Sequence, residues 1–242
     1  MTSALQFSGV VKSYDDRTVL SGIDLAVETG GFFGLIGVNG AGKTTLIKAL
    51  LDLTAIDAGH IDIFSTPHTE IRARESLAYL PERFVPPHHA TGADFLTYMQ
   101  RMYGNAADRD KCREALAAVD LDPVALAQPV RTLSKGMAQK LGLVAVLLSD
   151  RPLFVLDEPM SGLDPKARAL FKQHLSQRKV RGQTLFFSTH LLPDVEALCD
   201  RIAILHGGML RFVGTPQECC NRFDAPTLEQ AYLRSVDGDR VR

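Results

Sequence analysis

The segment from residue 32 to residue 45 constrains this chain most tightly. Phe32-Phe33-Gly34-Leu35-Ile36 is apolar without alternation, the pattern of a strand covered on both faces, as in parallel sheets. It leads directly into Gly37-Val38-Asn39-Gly40-Ala41-Gly42-Lys43-Thr44-Thr45, which fits G-x-x-x-x-G-K-[ST]. A helix is expected next, because Leu46, Ile47, Leu50 and Leu51 share one face at three- and four-residue spacing. Glycines let backbone N–H groups converge on phosphate oxygens without a Cβ in the way. The helix N-terminus adds positive partial charge at the same place. Lys43 is expected to reach the β- and γ-phosphates, and the Thr44 hydroxyl to ligate Mg2+. Residues Gly37 to Thr45 therefore form a candidate nucleoside-triphosphate site; a glycine turn with an incidental lysine explains neither the strand before it nor the helix after it.

Such a site needs a carboxylate at the end of another core strand. Leu153-Phe154-Val155-Leu156-Asp157-Glu158 supplies one, with Asp157 at the carboxyl end, where ligands bind in open α/β sheets. Asp157 is expected to hold Mg2+ through water, and Glu158 to act as general base on the attacking water. Phe186-Phe187-Ser188-Thr189-His190 repeats the design: an apolar strand ending in polar residues. His190 is expected beside the same site, as a hydrogen-bond donor near the γ-phosphate. His60, His68, His88, His89, His174 and His206 are assigned no functional role.

The 242 residues suit one large domain or one with an inserted subdomain. With 45% hydrophobic and 23% charged residues, a disordered or collagen-like chain is excluded. The net charge of −1 gives no bulk reason to expect nucleic acid, although a local patch is compatible with it. Cysteines 112, 199, 219 and 220 form no C-x-x-C pair, which speaks against a zinc or thioredoxin-like site and for a reducing compartment. Residues 1–7 lack the basic and apolar regions of a secretion signal. The longest strongly apolar stretch, residues 141–148, is far short of the ~20 needed to span a bilayer. Short strands are expected at 4–11, 18–20, 23–27 and 59–64. A helical block follows at about 84–150, with helices at 93–103, 109–119 and 135–148 and a proline-containing linker at 84–92. Strands resume at 153–156 and 184–188, separated by a helix at 166–181. Residues 202–205 and 209–213 flank Gly207-Gly208 as a hairpin. A short tail, 226–242, carries a capping helix at 228–235.

On these residues the chain resembles the ATP-binding subunit of ABC transporters over roughly residues 4–218. Leu133-Ser134-Lys135-Gly136-Met137 resembles the family signature LSGGQ, and Ser161-Gly162-Leu163-Asp164-Pro165 resembles its D-loop. Tyr14 matches the aromatic that stacks on adenine, with Val19 packing nearby. The resemblance implies an α/β phosphate-loop fold of the ABC type: a mixed, largely parallel sheet core, an N-terminal antiparallel β subdomain and an inserted α-helical subdomain. Residues 1–225 would form that domain. It also implies ATP and Mg2+ as ligands, with Ser134, Gly136 and Asp164 acting across a dimer of two chains, a homodimer. Two departures stand out. Tyr79-Leu80-Pro81-Glu82 puts Glu82 where the family carries Gln, as a water or Mg2+ contact. Lys135-Gly136-Met137 replaces Gly-Gly-Gln. Both resemble the ATPases of ABC-2 type exporters. That implies an ATP-hydrolysing subunit powering export through separate transmembrane permease subunits, held at the inner face of the cell membrane on the cytoplasmic side, with no nucleic acid partner. The alternative is a soluble ABC ATPase serving cofactor or complex assembly.

Overall fold

The computed structural model of the chain describes residues 2–87 and 89–237. In chain order the strands are β1 (Ser3–Tyr14), β2 (Arg17–Glu28), β3 (Phe32–Ile36), β4 (Ala58–Ile63), β5 (Thr66–Pro67), β6 (Leu77–Leu80), β7 (Leu153–Asp157), β8 (Thr184–Thr189), β9 (Arg201–His206) and β10 (Met209–Gly214). The helices are α1 (Lys43–Leu50), α2 (Ile71–Arg74), α3 (Gly92–Met102), α4 (Arg109–Ala118), α5 (Lys135–Leu147), α6 (Pro165–Val180), α7 (Leu192–Leu198), α8 (Pro216–Arg222) and α9 (Leu228–Asp237). An antiparallel sheet has the order β2-β1-β4-β5. A six-stranded sheet has the order β10-β9-β3-β8-β7-β6, parallel except for β10.

The unalternating apolar runs are explained by two hydrophobic clusters, one on each face of the six-stranded sheet. In β3, Phe32 and Ile36 join one cluster while Phe33 and Leu35 join the other. In β7, Phe154 and Leu156 face the first, and Leu153 and Val155 the second. The first cluster takes in the helical block, through Phe95, Leu116 and Val144. The second joins α1 to the antiparallel sheet, through Leu46, Leu50, Phe7 and Ile23.

The helices of the middle block begin where the sequence supplies caps. Thr91 and Asp94 form a capping box at α3, Asp108 caps α4 and Ser134 caps α5. The turn between β9 and β10 has Gly207 and Gly208 both at positive φ, as a two-residue hairpin turn requires.

Three expectations need correction. The strands expected at 18–20 and 23–27 are one strand, β2, because the chain passes Ser21-Gly22 with Gly22 at φ +68 and keeps its pairing to β1. The edge strand β6 was not anticipated; it is short, and its apolar run is only Leu77-Ala78-Tyr79-Leu80. Helix α7 was missed as well, since Pro193 inside a short run looks like a breaker, yet it sits in the first turn, where proline is tolerated. Helix α9 packs inward through Leu228 and Ala231. His88 and the last five residues of the tail lie outside the described residues. No helix among the described residues is long and apolar enough to cross a membrane. The four cysteines are free thiols, with Cys219 buried in α8.

Candidate nucleotide site

The site begins at the carboxyl edge of the parallel strands. The end of β3 is in register with its neighbours, Ile36 opposite Thr189 of β8 and Ile204 of β9, and Asp157 at the end of β7 stands opposite Ser188 of β8. Three loops therefore leave the sheet side by side, carrying Gly37–Lys43, Glu158 and His190.

Two glycines of the first loop admit no side chain. A Cβ on Gly37 would lie 2.5 Å from the Leu205 carbonyl oxygen. Gly42 has φ +111, and a Cβ there would lie 2.9 Å from the Val19 carbonyl oxygen. Helix α1 starts immediately afterwards without a side-chain cap, unlike α3, α4, α5, α6 and α8, and has no acidic residue in its first turn. Its first N–H groups and its dipole are thus left to an outside anion, which is the condition a phosphate needs.

Above the loop lies a cavity of about 340 Å3. It is lined by Val38, Asn39, Gly40, Gly42, Lys43, Thr44 and Thr45, by Tyr14, Arg17 and Val19 from the β1–β2 hairpin, and by Glu82 and Glu158. Ala41 and Gly37 do not line it: Ala41 is buried, and Gly37 packs against the Leu205 carbonyl of β9. The Tyr14 ring is 45% exposed, with its hydroxyl 3.3 Å from Thr54 Oγ1 and the Lys12 ammonium 5.1 Å from its centroid. Arg17 is a member of this wall that sequence reasoning missed; its only signal was its place between Tyr14 and Val19.

The polar side chains at the loop base form one connected set. The Thr44 hydroxyl donates to Asp157 Oδ2 at 2.8 Å. The Ser188 hydroxyl donates to the other oxygen, Oδ1, and accepts from the Glu158 backbone N–H at 3.0 Å. Glu158 itself has φ +48, a left-handed conformation that ends the strand and swings its side chain out of the β7 direction. One carboxylate oxygen, Oε1, lies 3.2 Å from Lys43 Nζ, an ion pair that lacks hydrogen-bond geometry; the other, Oε2, lies 2.9 Å from His190 Nδ1. The Lys43 ammonium also donates to the Gly37 carbonyl at 2.6 Å. Lys43, Asp157 and Glu158 are buried, whereas His190 is half exposed. Burial, and secondarily the charge of Asp157, pushes the neighbouring Tyr79 phenol up to about 12.

The other expected site residues stand apart from this connected set. Glu82 is exposed on the cavity rim, and no hydrogen bond or ion pair holds its side chain among the described residues. Ser134 and Gly136 do not line the cavity. Ser134 is exposed and accepts from the Met137 N–H at 3.2 Å, and a Cβ on Gly136 would lie 3.0 Å from the Gly162 carbonyl. Asp164 caps α6 and pairs with Lys140 at 2.7 Å. The Lys140 hydrogen bond, helped by the Ala167 N–H, holds the Asp164 carboxyl down at about 2.

Fold and site together define a phosphate-loop nucleotide-binding protein of the α/β class. Residues 20–161 match the family described as ABC transporter, and the chain belongs to that family. It is 38% identical over 205 residues to an uncharacterized ABC transporter ATP-binding protein of Synechocystis, a match covering 82% of this chain and 57% of that protein. It is 34% identical over 219 residues to the Nod factor export ATP-binding protein I of Rhizobium etli, covering 89% of this chain and 69% of the relative. Among solved structures, one titled as the ATP-binding subunit of an ABC transporter superposes with a TM-score of 0.88 at 29% identity, over 96% of this chain and 99% of the other. The chain thus spans little more than half the length of the first of these relatives.

Proposed function

We propose that this chain binds and hydrolyses ATP and uses the energy to power export across a membrane through a separate membrane-spanning partner. The observation that carries the reading is the set Thr44–Asp157–Ser188 and Lys43–Glu158–His190 at the foot of an uncapped helix N-terminus. The similarity to an export ATP-binding protein supports the direction of transport.

The residues at the loop base also fit Mg2+. Thr44 Oγ1 and Asp157 Oδ2 are hard oxygen donors 2.8 Å apart, and among the described residues no group of three or more His, Cys, Asp or Glu side chains could hold a metal ion by itself. That is the donor set of an ion taking most of its ligands from water and phosphate. When bound, Mg2+ would neutralise charge on the phosphate oxygens. In this reading Thr44 and Asp157 hold it, with Glu82 on the rim as a further water or metal contact.

The protein's own groups do the rest. Lys43 is occupied by the Gly37 carbonyl and by Glu158, so an arriving triphosphate takes over the Glu158 contact. Glu158 is thereby freed to accept a proton from the attacking water. His190 keeps the other carboxylate oxygen in place, and its Nδ1 bond to Glu158 leaves Nε2 as its remaining ring nitrogen. Tyr14 and Val19 would receive the adenine. Asp164, Ser134 and Gly136 lie outside the cavity of their own chain, which suits their completing the site of a second copy. Removing a general base lowers turnover about 10^2- to 10^4-fold. Glu158→Gln should fall in that range while still binding ATP.

The test is capture of partners by the Glu158→Gln protein with ATP from detergent-solubilised native membranes, read by mass spectrometry. Co-purification of a multi-span membrane protein supports the reading. Recovery of soluble partners alone overturns the transport half and leaves an ATPase of complex assembly.

A further inference from the structure

The hairpin tip that carries Tyr14 outruns part of the sheet that supports it. β1 pairs with β4 as far as Val11, opposite Ala58, and then continues for Lys12, Ser13 and Tyr14, paired on its other side with β2. Asp57, the residue just before β4, takes over where that pairing ends. Its own N–H donates to the Val11 carbonyl at 2.8 Å, and its carboxylate Oδ2 accepts the Ser13 N–H at 2.6 Å. The other oxygen, Oδ1, lies 3.1 Å from the Lys12 ammonium. The Lys12 side chain is mostly buried, and its ammonium sits over the Tyr14 ring, 5.1 Å from the centroid. The Ser13 N–H first, and Lys12 second, hold the Asp57 carboxyl below the usual carboxylate range, so it is charged at neutral pH. On the same segment, Thr54 Oγ1 lies 3.3 Å from the Tyr14 hydroxyl. Thr54 and Asp57 belong to the stretch that leaves α1, the helix whose first turn ends the phosphate loop. The Tyr14 ring on the cavity wall is therefore tied to the element that carries the phosphate loop as well as to its own hairpin.

We propose that Asp57 is a positioning residue for the nucleotide base: by holding Ser13 and Lys12 it fixes where the Tyr14 ring stands relative to the phosphate loop. The proposal rests on the reading above in which Tyr14 receives the adenine. Asp57 is not among the residues lining the cavity, so it acts through Tyr14 and its effect is confined to ligands that carry a base. Without the carboxylate the hairpin tip spreads over other conformers, and apparent affinity for ATP falls by the fraction that remains competent. Inorganic tripolyphosphate offers the phosphates without the base and does not sense the ring.

The experiment titrates ATP and inorganic tripolyphosphate, each with Mg2+, into the native chain, Tyr14→Ala, Asp57→Ala and Asp57→Asn, by calorimetry. Tyr14→Ala should weaken ATP about five- to hundredfold, the range of base stacking on an aromatic ring, and leave tripolyphosphate unchanged. Asp57→Ala should weaken ATP about two- to tenfold, again with tripolyphosphate unchanged. Asp57→Asn keeps an acceptor for the Ser13 N–H and loses the charge facing Lys12, so its loss should be of the same kind and smaller. Equal weakening of both ligands in the Asp57 variants marks a general disturbance of the fold and overturns the proposal. Native ATP affinity in Asp57→Ala beside a weakened Tyr14→Ala refutes the brace alone. Native ATP affinity in Tyr14→Ala refutes the adenine placement itself, and the proposal falls with it.

Discussion

At the scale of single residues, Glu158 has two anchors, Lys43 on one oxygen and His190 on the other, and in the proposed mechanism the reaction depends on both. In the proposed mechanism Lys43 has the larger task, because there it would exchange a protein carboxylate for phosphate oxygens. Lys43→Ala should therefore raise the ATP dissociation constant at least tenfold, a charge-assisted contact being worth about 1.5–3 kcal/mol; nucleotide titration by calorimetry checks it. Ser188 is the residue at which sequence reasoning fell short. A serine at the end of an apolar strand is commonplace, and its work emerges only from the register that sets it opposite Asp157. There it holds the Asp157 carboxylate and the Glu158 backbone together. Ser188→Ala should lower kcat about tenfold by loosening both, with ATP affinity nearly unchanged, the outcome of disturbing alignment rather than binding. Steady-state kinetics separate the two. The phosphate loop, Asp157, Glu158 and His190 were legible because each ends a recognisable apolar run.

At the scale of elements, strong periodicity carried the reading and weak local signals limited it. Runs such as Phe32–Ile36 are unambiguous because both faces are buried, whereas β6 is a four-residue edge whose strand character comes from pairing with β7. The contact between α5 and α6 was also hidden. Lys140, nearly buried on α5, pairs with Asp164 at the start of α6 and donates to the Asp120 carbonyl at 3.1 Å. The Asp164 carboxyl titrates at about 2 in the fold against an ordinary 3.8. Its contribution to stability is therefore complete above about pH 4 and is lost as pH falls toward 2. Asp164→Asn keeps an N-cap and removes the charge. Its melting temperature should drop less between pH 4 and pH 2 than that of the native chain; an identical drop would remove Asp164 from this role.

At the scale of the whole molecule, the proposed function implies a site that one chain does not complete. The cavity is open above the loop, while Ser134, an exposed helix cap, and Gly136 lie outside it. The sequence pointed to both ends of this arrangement through the signature-like segment. The distance between them in one chain is what the fold adds. A second copy that brings Ser134 to the Lys43 loop would close the site and exclude water from the reacting phosphate. The helical block that carries Ser134 shares a hydrophobic cluster with the sheet, so closing it would move a packed body rather than a loop.

The most direct test is light scattering of purified Glu158→Gln with and without ATP, alongside phosphate release by the same protein. The account predicts a single-chain mass without nucleotide, twice that mass with ATP, and phosphate release at least about a hundredfold below the native chain. A single-chain mass at saturating ATP, or release at the native rate, would contradict it.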